Sequence, residues 1–300
     1  MSDDLRDEVA GLAGELRHAR RALGHDVEHL DPSPPRTAED VRTWFDTTRD
    51  RILAVLREAD PDQAAGLLAE VWPVVPVDAD AEWCRRLYDV GAGLAPALPT
   101  STTLATALRG AARALRARGE HRLAVAAGIL ELAIHRRRDD DPDATAAALA
   151  DLAVTQRARG LLHEVVDCLE EALEVHLRHG RPAGIARSLT ELGAVLLEVG
   201  RLDPAIDHLT RADRAFTEVR DAVHHAECLA LLGRGRQLAG DRAAAHRAFN
   251  RALALLIGSD DPEARRVRGL AVSLRSLSEE DGHDELDQQA EGEPEPGQDA

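Results

Sequence analysis

The sequence contains no lysine: all 37 of its Lys+Arg residues are arginine. A phosphate-cradling Walker A loop, a pyridoxal phosphate Schiff base and a protein-kinase site each need a lysine, so all three chemistries are excluded. Aromatic residues make up only 2% of the chain. A sheet core would call for β-branched and aromatic residues, whereas the Ala and Leu abundant here favour close-packed helices. The three cysteines, Cys84, Cys168 and Cys228, are odd in number and far apart. They fit neither a disulfide framework nor a zinc ligand set and read as buried thiols of a reducing compartment. No apolar run approaches the ~18 residues of a membrane helix. The opening MSDDLRDEVAG has no hydrophobic signal-peptide core. The expectation is a soluble, cytoplasmic protein with no membrane partner.

Charge is abundant and lopsided. The formal net charge is −17, and from Glu279 onward ten acidic residues meet no arginine. An acidic chain is a poor counterion for phosphates, which disfavours nucleic acid as a partner. From Ser278 to 300 the sequence is acidic, bears Gly, Pro and Gln, and lacks the apolar residues needed to offset ordering entropy; it reads as a disordered acidic tail.

Residues 1–30 read as an N-terminal amphipathic helix. Leu5, Val9, Leu12, Leu16, Ala19, Leu23, Val27 and Leu30 recur in steps of four or three, close to a heptad seam. Something must bury that seam, either the rest of the chain or a second copy, and a homodimer through residues 4–30 is the slightly favoured expectation. Asp31-Pro-Ser-Pro-Pro35 then stops the helix, making 31–37 a Pro-rich linker. Thr37-Ala-Glu-Asp40 resembles a capping box opening a further helical region.

The strongest signal is a repeat. Gly119, Gly160, Gly200 and Gly240 are 41, 40 and 40 residues apart, and each ends one helical stripe and precedes another. Small and large residues recur in register with them. Seven before each glycine stand Ala112, Ala153, Gly193 and Gly233; five after stand Ala124, Val165, Ala205 and Ala245; twelve after stand Glu131, Ala172, Ala212 and Ala252. Pro142, Pro182 and Pro262 mark where second helices should end. Gly128 and Glu131 break the pattern and imply a shift of the second helix in that hairpin. Counting back from Gly119 gives Ala79, where the glycine is missing. Trp72, Cys84, Tyr88 and Gly91 keep a weak echo of the pattern around it, and Pro73 and Pro76 interrupt it.

The run Leu232-Gly233 … Gly240 … Ala245 … Phe249 … Ala252 resembles the tetratricopeptide repeat (TPR) signature. The period of about 40 resembles the longer repeats of kinesin light chain and of bacterial STAND-type regulators. The stretch from Trp44-Phe45 through ILAVLREADPDQAAGLLAEVWPVV also resembles the helical region that precedes the repeats in such regulators; the nucleotide-binding module they carry is not legible here. The implied fold class is all-α, a right-handed α-solenoid of TPR-like hairpins. Its parts are a helical region with a degenerate hairpin over 38–100, four repeats over 101–262 and a capping helix over 263–277.

No chemistry competes with that reading. His176 and His179 could share a helix face and His224-His225 are adjacent, but neither pair makes a zinc ligand set. Gly233-Arg-Gly235 lacks the third glycine of a dinucleotide loop. No nucleophile elbow, metal motif or cofactor motif is present, so no enzyme, metal or cofactor is expected. In the family, positions 2, 5, 9 and 12 of each first helix line a concave groove. Transferred by register, the groove would hold Arg109, Arg113, Arg116, Arg157, Arg187, Thr190, Arg234 and Gln237. Thr106, Ala147, Ala150, Val154, Ala194, Leu197, Glu227 and Ala230 fill the other transferred positions. Six arginines and one acid make an Arg-lined surface, and guanidinium forks take carboxylates. The resemblance thus implies a protein-binding adaptor or regulatory module for an acidic segment of a partner. The alternatives are a scaffold dimerised by its N-terminal helix and a transcription or signalling regulator related to STAND proteins.

Overall fold

The computed structural model describes the backbone of residues 3–23 and 38–290, and the side chains of 4–20, 23 and 39–276. Among these residues there are helices and no strand. The chain divides into two compact units, Met1–Val175 and His176–Ala300. The first unit opens with α1 (Asp3–Ala22), α2 (Ala38–Glu58), α3 (Pro61–Val71), a 3-10 turn (Trp72–Val74) and α4 (Ala81–Leu94). It continues with α5 (Thr102–Ala117), α6 (His121–Arg138), α7 (Pro142–Ala158) and most of α8 (Leu162–Arg178), whose last residues from His176 fall in the second unit. The second unit holds α9 (Pro182–Glu198), α10 (Leu202–Phe216), α11 (Ala222–Leu238), α12 (Arg242–Leu255) and α13 (Pro262–Ala290). The fold is all-α and built of TPR-like hairpins.

Each repeat glycine closes a helix in the same way. Gly119, Gly160, Gly200 and Gly240 have φ of 78°, 74°, 76° and 83°, a region that costs an L-residue about 1–2 kcal/mol. The amide after each glycine donates back five residues: Glu120 to Leu115 O, Leu161 to Gln156 O, Arg201 to Leu196 O and Asp241 to Arg236 O, at 2.8–3.1 Å. The glycine amide itself donates three residues back, the second bond of a Schellman motif. The turns therefore pair α5 with α6, α7 with α8, α9 with α10 and α11 with α12. Helix starts are marked as clearly. Ser101, Asp141, Asp221 and Asp241 accept from an amide three residues on, each such cap contributing about 1 kcal/mol. Pro142, Pro182 and Pro262 open the next helix instead of merely following the last, since a first-turn residue needs no amide donor.

Packing follows the small positions. A Cβ on Gly193 would sit 2.5 Å from Leu209 Cγ, and one on Gly233 would sit 2.4 Å from Phe249 Cε1, so each glycine admits a large side chain of the paired helix. At the departing hairpin, α6 keeps Ala124 buried in the common register. The space left by Gly128 is taken by Leu152 of α7, 3.3 Å from where a Cβ would be.

The region over 38–100 holds α2 and then α3 and α4, which follow each other without a turn glycine. Trp72 is buried, and its Cβ lies 3.0 Å from where Gly110 of α5 would carry one. Phe45 and Trp83 meet edge to face at 5.0 Å, and Trp83 Nε1 donates to Arg49 O at 3.1 Å. In place of the absent glycine, Arg118 beyond α5 donates from Nη2 to the carbonyls of Val75 and Pro76.

Two expectations change. The seam of α1, at Val9, Leu12, Leu16 and Ala19, is buried in one core with Val41, Phe45, Ile52 and Leu68 of the same unit. The first unit's own core covers these four residues. Trp44 Nε1 donates to Glu15 at 2.8 Å, and Arg20 pairs with Glu70 at 2.9 Å along its rim. The stripe out to Leu30 and the linker over 31–37 lie outside the described residues. The capping helix expected over 263–277 does not stop there, and the disordered tail does not begin at 278: α13 runs to Ala290. After Pro262 the next proline is Pro294, and the Glu, Leu, Gln and Ala between them are good helix formers. Residues 291–300 lie outside the described residues.

Candidate functional site

Arg109, Arg113 and Arg116 stand at steps of four and three on α5 and so share one face. The structure brings all three to α7, where Asp151 meets them. Arg113 Nη2 donates to Asp151 Oδ2 at 3.0 Å, and Arg109 Nε lies 3.7 Å from the same oxygen. Arg116 Nη1 donates to the Asp151 carbonyl at 3.3 Å and to Thr155 Oγ1 at 3.1 Å. Arg109 has a closer partner below: its Nε donates to Glu131 Oε1 of α6 at 2.6 Å.

Glu131 is the acid that stands where the other three repeats have alanine. It is 0% exposed. Burial pushes its carboxyl above the usual range, and the Arg109 guanidinium offsets part of that push. Its Oε2 is buried without a hydrogen-bond partner, as is Nε2 of His135 one turn along α6. Burial, with Arg109 nearby, also pulls the His135 imidazole below its ordinary value. The side chain of Arg113 is 58% exposed and that of Asp151 21%. The α7 face beside them carries Ala147, Ala150 and Val154, the last 49% exposed. Arg157 lies further along α7 and is exposed.

In the second unit the transferred positions fare unequally. Arg187 on α9 and Arg234 on α11 are exposed, and Gln237 is half-buried. Thr190 is not a surface group. It is buried, donates to Ala186 O at 2.9 Å and lies beside the Cys228 thiol, so it belongs to the helix contact. Leu197 and Ala230 are buried for the same reason.

That unit has a polar cluster which the groove positions do not include. Asp213 of α10 takes Nε2 of His225 (α11) at 2.8 Å and both terminal nitrogens of Arg251 (α12) at 2.9 and 3.0 Å. Phe216 stacks on His225 with centroids 5.4 Å apart. The hydrogen bond from His225, with Arg251 behind it, holds the Asp213 carboxyl down to about 2. Its acid was visible as a lone Asp one residue past the alanine of the repeat pattern.

Neither cluster holds an activated nucleophile. Burial pushes the Cys228 and Cys168 thiols up to about 12 and about 11, leaving them unreactive. Among the described residues no group of three His, Cys, Asp or Glu is placed to hold a metal ion. Among them, too, no helix is long and apolar enough to cross a membrane.

Residues 184–257 match the family model of the tetratricopeptide repeat. Among solved structures, the chain is similar to RapI in its apo form, at 11% identity over 96% of this chain and 85% of that one, with a TM-score of 0.60. It is similar to aspartyl phosphate phosphatase F from Bacillus subtilis at 10% identity over the same shares, with a TM-score of 0.54. It is similar to BtubC (BKLC) from P. vanneervenii at 16% identity over 96% of both chains, with a TM-score of 0.50. At these identities the likeness is one of fold. No curated protein matches the sequence.

Proposed function

We propose that this chain, with tetratricopeptide repeats over 184–257, is a protein-binding module that takes an acidic segment of a partner protein. The observation that carries the reading is the row of Arg109, Arg113 and Arg116 on one face of α5. Arg109 and Arg113 meet the carboxylates of Glu131 and Asp151, while Arg116 meets only the Asp151 carbonyl and Thr155, so three cations stand against two acids in a chain of net charge −17. A guanidinium presents planar forked donors that fit a carboxylate and keeps its charge at any working pH. Arg157 adds to the candidate surface within the first unit, and Arg187, Arg234 and Gln237 are the corresponding candidates on the first helices of the second unit. RapI and the other solved structures support the fold that carries such a surface; the binding itself rests on the arginines.

The test uses the full chain, wild type and with Arg113→Glu and Arg116→Glu together, each immobilised and exposed to extract of the source cell. Arg113 is exposed and Arg116 half-buried at the edge of the helix pair, so circular dichroism and thermal unfolding of the double variant establish first that it is folded. Partners held by the wild type are expected to be lost from the folded double variant. An unchanged set of captured proteins removes the arginine face as the binding surface.

A further inference from the structure

The charge balance at α5 and α7 restricts what can bind there more than a row of three arginines suggests. Arg109 is committed to Glu131, which solvent does not reach. Arg116 spends Nη1 on the Asp151 carbonyl and Thr155. Arg113 is the one with most of its side chain in solvent, and Asp151 already lies against one edge of its guanidinium. Three cations less two carboxylates leave room for one more negative charge. A second carboxylate brought to the same place would lie against Asp151 and be repelled.

The flank is apolar. Val154 follows Asp151 by three residues on α7, a spacing that puts neighbouring side chains about 5–6 Å apart on one helix face. It is exposed, with Ala147 and Ala150 behind it. We infer that the α5–α7 face is built for a partner segment with a single acidic side chain next to an aliphatic one, and that Asp151 is the residue that rejects acidic runs. This rests on the reading of α5 as a binding surface and narrows it. The aliphatic side chain covers Val154 while the lone carboxylate takes the open edge of Arg113. The chain's own run Glu279-Glu280-Asp281 is then the wrong chemistry for the face, and the acidic tail is not its occupant.

The experiment is selection of a displayed random dodecapeptide library on three full-length proteins: wild type, Asp151→Asn, and Arg113→Glu with Arg116→Glu. Enriched sequences are then synthesised with a fluorophore and titrated by anisotropy. The wild type should enrich peptides with one acid beside Leu, Ile or Val. Changing that acid to its amide should weaken binding about tenfold, the size of a charge-assisted contact. Asp151→Asn should tighten every acidic peptide, as expected from removing a like charge, and should tighten peptides with two adjacent acids about fivefold more than one-acid peptides. If acidic runs are enriched on wild type and Asp151→Asn alike, the single-carboxylate inference falls while the arginine surface stands. If the folded double variant enriches the same peptides as wild type, or if no protein enriches any, the surface falls and the inference with it.

Discussion

Glu131 of α6 and Asp213 of α10 occupy neighbouring positions of the repeat, twelve and thirteen residues after their glycines, and respond to their surroundings in opposite directions. Each accepts from an arginine of another helix. Glu131 is sealed, keeps one oxygen without a partner and is pushed up. Asp213 sits at a half-open edge between His225 and Arg251 and is pulled down. The difference shows that pairing alone does not decide a carboxylate's ionisation. The desolvation cost of a sealed oxygen exceeds what one guanidinium returns at Glu131, whereas three donors outweigh the partial burial of Asp213.

Removing the arginines should separate the two sites most. Arg109→Ala leaves Glu131 sealed without a counter-charge and should cost about 3 kcal/mol in urea unfolding. Arg251→Ala leaves Asp213 with His225 and solvent and should cost under about 1 kcal/mol. Equal losses would mean the burial of Glu131 is not what sets it apart.

Acid should sharpen the contrast by sign. Asp213 has a folded value near 2, below its ordinary 3.8. Its stabilisation is complete above about pH 4 and lost as the pH falls toward 2, at most about 2 kcal/mol. The margin of wild type over Asp213→Asn should shrink over that window. Glu131 is raised above 4.5, so its ionised form opposes folding, and the opposition is relieved as the pH falls through its folded value. Wild type should therefore gain relative to Glu131→Gln on acidification. A margin moving the same way for both variants would break the comparison.

Smaller effects are expected from two further changes. Glu131→Ala restores the residue of the other repeats and should be neutral or stabilising by up to about 1 kcal/mol, because the freed Arg109 can turn to solvent. Salt of about 0.5 M, with a Debye length of about 4 Å, should narrow the gap between wild type and Arg251→Ala while leaving that for Arg109→Ala nearly intact.

The repeat was legible because its glycines do a job no other residue does cheaply, and the 40-residue register fixed the hairpins with it. The arginine row on α5 was legible for the same reason, as a helical spacing. Its partners were not. Glu131 is twenty-two residues from Arg109 and Asp151 thirty-eight from Arg113, so neither pair falls on a helical period. Glu131 did show itself as the one acid in a column of alanines, but it suggested a displaced helix where it supplies a buried partner. Thr190 differs because the same register position holds half-buried Arg109 over Glu131 on α5 and the Cys228 contact on α9. The end of α13 is hard to read because charge density and low apolar content argue for disorder where the helix propensity of Glu, Leu, Gln and Ala carries the helix on to Ala290.

The fork of Arg118 on the Val75 and Pro76 carbonyls bears on the order of folding. In a repeat array, stability is roughly the sum of what each hairpin holds alone and what neighbours lend each other. The hairpin of α3 and α4 has no glycine to close its own turn, so its loop is fastened by a side chain that arrives only with α5. Its closure is thereby moved from the intrinsic side to the neighbour side. This hairpin should not persist on its own, should lock after α5 has docked, and should come undone in one step with it, which makes the start of the chain more cooperative than a plain stack of equal repeats.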